Sequence, residues 1–112
     1  MPIHHLPPAC SEQELVAQLS EQELVLVDAY ATWCEPCKML DEILVELESR
    51  MKGGLEILKF DVDEQAALAA AFGIRSVPTL MVFCKGELRW RMAGFKLAHE
   101  LQAELEQIAA GN

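Results

Sequence analysis

At 112 residues, 52% hydrophobic and 24% charged, the chain has the size of one compact domain that buries roughly two-thirds of the surface its unfolded form exposes. Eighteen acidic against nine basic residues leave a net charge of −9, without the cationic footprint that a phosphate backbone or an anionic lipid surface requires, so neither nucleic acid nor a membrane is expected as a partner. No cationic stretch followed by an apolar run opens the chain and no apolar segment is long enough to span a bilayer, which predicts a cytoplasmic protein.

No repeat, linker or break in composition divides the sequence, so residues 1–112 read as a single domain. Ile3 to Leu6 predicts a short edge strand closed by Pro7-Pro8, which cannot donate to a ladder. Ser11 with Glu14 forms a capping-box pattern, opening a helix with Leu15, Val16 and Leu19 on its apolar side and an end near Ser20. Leu24 to Ala31 is an apolar run of strand length interrupted by Asp28, as expected for a central parallel strand covered on both faces. From Cys34 the spacing turns helical, with Leu40, Ile43, Leu44, Leu47 and Met51 on one face until Gly53-Gly54.

Leu55 to Val62 predicts a second strand, and Asp63 is placed to cap an alanine-rich helix that ends at Gly73. Alternation of strand and helix implies parallel strands joined by right-handed crossovers. After Val77-Pro78, Thr79 to Cys84 and Glu87 to Ala93 flank Lys85-Gly86 as a β-hairpin, Gly94 marks a bend or bulge, and a last helix runs from about Leu97 to Ala110 with Leu101, Leu105 and Ile108 inward. The expected fold is α/β, a mixed central sheet of parallel strands plus an antiparallel C-terminal hairpin, flanked by about four helices.

Four cysteines in a chain of this kind point to catalysis or metal binding before a structural disulfide framework. Cys34 and Cys37 are three positions apart at the start of a helix, where they can close a small disulfide ring. The thiolate is the attacking species, and a helix N-terminus favours it, so Cys34 is the expected nucleophile. Cys37, one turn further in, would resolve the mixed disulfide, and Pro36 in the first turn stiffens the ring. The same pair is half of a zinc site, but Cys10, Cys84, His4 and His5 offer no second ligand pair at finger spacing, which favours redox chemistry.

The run Val27-Asp28-Ala29-Tyr30-Ala31-Thr32-Trp33-Cys34-Glu35-Pro36-Cys37-Lys38 resembles the active-site segment of the thioredoxin family. Lys59-Phe60-Asp61-Val62-Asp63, Phe72-Gly73-Ile74-Arg75-Ser76-Val77-Pro78-Thr79, Phe83-Cys84-Lys85-Gly86 and Ala93-Gly94 follow in that family's order and spacing. The resemblance implies a thioredoxin fold and a dithiol enzyme that reduces protein disulfides. It makes Asp28 the buried carboxylate that assists proton transfer at Cys37, tuned by Lys59; the alternative is a structural carboxylate neutralised by Lys59. An acid inside an apolar strand has its pKa raised by desolvation, which agrees with the first reading. The resemblance also implies a cis bond before Pro78 and a docking platform of Trp33, Pro36, Val77, Pro78, Ala93 and Gly94. Disulfide-containing client proteins and a thioredoxin reductase-like flavoprotein are the implied partners of a monomer, with no cofactor beyond the Cys34–Cys37 disulfide and no metal.

Glu35 stands where typical members have Gly. A carboxylate about 6 Å from Cys34 opposes its thiolate by roughly 0.7 to 2.8 kcal/mol, with screening favouring the low end, so Glu35 predicts a less acidic Cys34 and a more reducing couple. Glu35 also resembles membrane-tethered reductases of cytochrome maturation, which carry an insertion and an anchor that this sequence lacks. Asp41-Glu42 lies where the family kinks the active-site helix with Pro, predicting a straighter helix with a more acidic rim. Ala29 replaces a large aromatic, which predicts a void or another partner near Tyr30. Cys84 is either a regulatory thiol or an inert small hydrophobe, as is Cys10, and His4-His5 reads as surface. Besides the general reductant, a reductant for one dedicated partner, a redox-inactive binding module and an oxidase or isomerase of an oxidising compartment stand as alternatives.

Overall fold

The computed structural model describes residues 3–6 and 11–111; the predictions for Pro7-Pro8 and Cys10 fall outside them. Among these residues the order is β1 (Ile3–His5), α1 (Glu12–Ser20), β2 (Leu24–Tyr30), α2 (Glu35–Met51), β3 (Glu56–Asp61), α3 (Ala66–Ala71), β4 (Thr79–Cys84), β5 (Glu87–Ala93) and α4 (Ala98–Ala109). The strands form one mixed sheet in the order β1-β3-β2-β4-β5. β1, β3 and β2 run parallel, and β4 and β5 complete the sheet antiparallel.

The alternation along β2 builds two cores. Val25, Val27 and Ala29 turn to the face covered by α1 and α3, where they meet Leu15, Leu19, Leu68, Leu58, Phe60 and Met81. Leu24 and Leu26 turn to the opposite face with Ile57, Leu80 and Val82, beneath Leu40, Leu44 and Leu47 of α2 and Leu101, Leu105 and Ile108 of α4. Truncating a fully buried leucine such as Leu40 or Leu44 to alanine costs about 2 to 5 kcal/mol, so each helix is held chiefly by this burial. Asp28 has the parity of Leu24 and Leu26, and its in-register neighbour Lys59 that of Ile57, which directs both toward the α2 side.

Local signals behave unevenly. The Ser11–Glu14 capping box forms, with Glu14 N–H donating to Ser11 Oγ at 3.1 Å and Ser11 N–H to Glu14 Oε1 at 3.1 Å. Val16 instead stays 44% exposed, because Leu15 and Leu19, four apart, define the buried stripe and Val16 lies a hundred degrees round from the first of them. The end of α2 falls one residue before the glycines: Lys52 itself adopts the left-handed conformation, φ 51°, as the cap. Asp63 does not cap α3, whose preceding residue is Gln65. Asp61 Oδ1 accepts the amides of Asp63 and Glu64 at 2.8 and 3.3 Å, and the Asp63 carboxylate is engaged elsewhere.

The hairpin turn is Lys85-Gly86, both at positive φ (52° and 85°), the type I′ geometry that matches the twist of two-residue hairpins. Glycine is required at 86 for a second reason: a Cβ there would stand 2.9 Å from Ser20 Oγ and 3.2 Å from Ser20 Cα. A register shift between Val82 and Phe83 marks a bulge in the hairpin. From β5, Arg91 donates to the carbonyls of Phe72 and Gly73, satisfying the C-terminal end of α3 and tying down the segment that leads to Val77-Pro78.

Candidate active site

The site forms where β2 gives way to α2. Cys34 is the N-cap of this 17-residue helix, with extended backbone (φ −90°, ψ 112°), and its Sγ accepts the Cys37 amide at 3.2 Å. Pro36 sits in the first turn, where no intrahelical partner is lost. Cys34 and Cys37 are disulfide-bonded with their Cα atoms 5.3 Å apart, inside the range a disulfide accepts. With Ala31 they form a small buried cluster against which Tyr30, Val62 and Val77 pack.

On the α2 side of β2, Asp28 is fully buried. Among the described residues neither of its oxygens has a hydrogen-bond partner. Desolvation raises its pKa from 3.8 to about 7; Lys59 pulls the value down and Asp41 pushes it up. Lys59 Nζ lies 3.9 Å from Asp28 Oδ2, forms an ion pair with Asp41 Oδ1 and stands 5.0 Å from the centre of the Tyr30 ring. Tyr30 in turn meets the His5 ring edge-on at 5.9 Å.

In front of the disulfide, Glu35 and Lys38 pair at 3.0 Å with 82% and 61% of their side chains exposed. Trp33 is 66% exposed, and its Nε1 donates to Asp63 Oδ2 at 2.8 Å, which is where the Asp63 carboxylate has gone. A cleft of 150 Å³ runs from Trp33 past Val62, Ile74, Arg75 and Ser76 to Val77. The Val77–Pro78 peptide is cis. Pro78 itself is buried, and its carbonyl accepts the Gly94 amide at 2.7 Å, with Gly94 at φ 105°. Thus Trp33 and Val77 share the cleft, Pro78 and Gly94 are bonded beside it, and Pro36 and Ala93 are exposed but do not line it. Asp41, Asp63, Val62, Ile74, Arg75 and Ser76 enter the neighbourhood without having been singled out as site residues.

Elsewhere, Cys84 is half-buried against the core and lies at the other end of β4 from Thr79, about 17 Å along the strand. His4 pairs with Glu56 at 2.7 Å on the surface. Among the described residues no group of three or more His, Cys, Asp or Glu is placed to hold a metal ion, and no helix is long and apolar enough to cross a membrane.

A Cys-x-x-Cys disulfide at the N-terminus of a helix, on a mixed five-stranded sheet between helices, defines a thiol-disulfide oxidoreductase. Comparison with known proteins agrees. The family model "Thioredoxin" matches residues 8–107. The chain is 42% identical over 92 residues to thioredoxin of Bacillus subtilis, covering 82% of this chain and 88% of that protein. Among solved structures it resembles a point-mutant thioredoxin from Halobacterium salinarum (TM-score 0.81, 34% identity, 94% of this chain and 88% of that one). It likewise resembles oxidized mitochondrial thioredoxin 3 of Saccharomyces cerevisiae (TM-score 0.81, 26% identity, 94% of each chain). The chain belongs to the thioredoxin family, whose members act on disulfide substrates, are recharged by a reductase and use no cofactor beyond the redox-active disulfide.

Proposed function

We propose that this chain is a cytoplasmic, monomeric reductant in which residues 1–112 act as one thioredoxin domain and Cys34 is the nucleophile. Exposure does not choose between the two sulfurs, each residue being 4% accessible. The observation that carries the assignment is the hydrogen bond from the Cys37 amide to Cys34 Sγ at the positive end of α2, an interaction that strengthens when the sulfur is anionic.

In the reducing direction, the Cys34 thiolate attacks one sulfur of a client disulfide, and the other client sulfur leaves with the electron pair and takes a proton. Cys37 then loses its proton to the Asp28 carboxylate and attacks Cys34 Sγ. The Cys34–Cys37 disulfide forms and the second client thiolate departs, so two electrons have moved to the client. Lys59 tunes Asp28, and Glu35 and Pro36 tune the couple. Trp33 and Val77 receive the client in the cleft, with Pro78 and Gly94 hydrogen-bonded to each other beyond it and Ala93 exposed on the adjoining strand end. A flavoprotein resembling thioredoxin reductase restores the dithiol.

The test is redox equilibrium with glutathione, followed by insulin-disulfide reduction with a thioredoxin reductase. A potential near the thioredoxin value of about −270 mV is expected, whereas one near about −120 mV identifies an oxidant. Cys34→Ser should abolish turnover; activity surviving it overturns the mechanism.

A further inference from the structure

Lys59 has two carboxylates within reach and serves them unequally. Its Nζ is hydrogen-bonded to Asp41 Oδ1, while Asp28 Oδ2 stays at 3.9 Å. The preference runs against burial. The Asp41 side chain is 54% exposed and that of Asp28 is 0%, so a full ion pair with Asp28 would be the stronger one electrostatically. Two contacts oppose it. The Tyr30 ring takes one flank of the ammonium, and Asp41, one helical turn beyond Cys37 on α2, supplies a charged acceptor at the outer edge.

We propose that Asp41 is a positioning residue of the exchange reaction: it holds the Lys59 ammonium toward solvent, withholds that cation from full pairing with Asp28, and so leaves the Asp28 carboxyl free to take and release the Cys37 proton. This rests on the reading of Asp28 as the proton-transfer group. The surroundings of Asp28 offer few rivals for the role. β3 contributes Lys59, α2 contributes Asp41, and β2 itself contributes the Tyr30 phenol, which feels the Asp28 charge. β4 places the uncharged Leu80 in register, and α4 covers this face with Ala98, Leu101, Leu105 and Ile108.

The experiment follows the Asp28 carboxyl by carbon NMR through a pH titration of the oxidised protein, in wild type, Asp41→Ala, Lys59→Met and the double variant. The Asp28 midpoint, about 7 in wild type, should fall by about one pH unit or more in Asp41→Ala, as expected when an opposite charge closes to contact distance. In the Lys59→Met background the same substitution should lower it by less than half as much, and Asp41→Glu should restore most of the wild-type value. An equal fall in both backgrounds means that Asp41 acts only through its own charge, and no fall means that it does not act at all; either overturns the proposal. The pH profile of mixed-disulfide resolution should move with the Asp28 midpoint. A profile that ignores a moved midpoint refutes the proton-transfer reading and leaves the linkage from Asp41 through Lys59 to Asp28 intact.

Discussion

Two groups of lysine and carboxylate meet at α2, one buried behind the helix and one exposed in front on its first turn. Behind, Lys59 and Asp28 are 9% and 0% exposed; in front, Lys38 and Glu35 are 61% and 82% exposed. The chemical types are the same, but Lys38 closes on Glu35 at 3.0 Å whereas Lys59 stays 3.9 Å from Asp28, and burial displaces the titration of Asp28 to about 7. What separates them is access of water. An exposed ion pair is screened and worth at most about 1 kcal/mol, whereas a buried carboxyl cannot ionise cheaply even with a lysine nearby. In the proposed mechanism the buried charges govern proton transfer, and the exposed ones only trim the sulfur's acidity.

Removing the inner acid should have the largest effect. Between about pH 4 and 7 the unfolded chain has released the Asp28 proton and the native protein still binds it, so stability falls by about 1.4 kcal/mol per pH unit as pH rises. The penalty is absent below about pH 4 and complete above about pH 7. Asp28→Asn should therefore be the more stable protein at pH 8 by about 4 kcal/mol and nearly equal at pH 4, as read by denaturant unfolding. A difference independent of pH would remove the contrast between the two flanks. The same variant should resolve mixed disulfides about ten- to a hundredfold more slowly, at or below the low end of general acid–base catalysis.

On the outer side, Asp63→Ala frees the Trp33 indole. Losing one exposed, charge-assisted hydrogen bond of about 1 kcal/mol should raise KM for a protein disulfide about fivefold with little change in kcat. An unchanged KM would show that the bond does not orient the docking surface. The smallest effect belongs to Glu35→Gly. Because Lys38 already offsets the Glu35 charge, the Cys34 pKa, followed by thiolate absorbance, should fall by no more than about half a unit. A fall of two units would mean that the front of the disulfide is electrically as dry as the back.

Much of this architecture is legible in the chain. Leu24 to Ala31 reads as a buried strand because its apolar run is broken only at Asp28, and the strand itself ends at Tyr30; Lys85-Gly86 reads as a turn because two strand-like segments flank it. Such signals are local: propensity, capping and alternation act over a few residues. Asp63 reads as a helix cap by that logic, but an indole thirty positions earlier in sequence claims its carboxylate. Asp41 reads as an acidic rim, and only the packing of α2 over β3 brings it to Lys59. Arg91 on the two carbonyls after α3, like the cleft lining from Ile74 to Ser76, has no periodicity to betray it. The cysteines and the buried acid were visible because their residue types are unusual where they stand; the residues that position them are ordinary surface types made important by tertiary contact.

Cys34 is both the N-cap of α2 and one half of the redox-active disulfide. With Cys34 as the proposed thiolate, reduction replaces a neutral sulfur with an anionic one as the acceptor of the Cys37 amide, so the first turn is held more firmly even as the covalent ring opens. The helix that carries Leu40, Leu44 and Leu47 across the sheet therefore gains at its cap part of what it loses in cross-linking. One backbone hydrogen bond thus couples the redox state of the pair to the end of the helix that carries it.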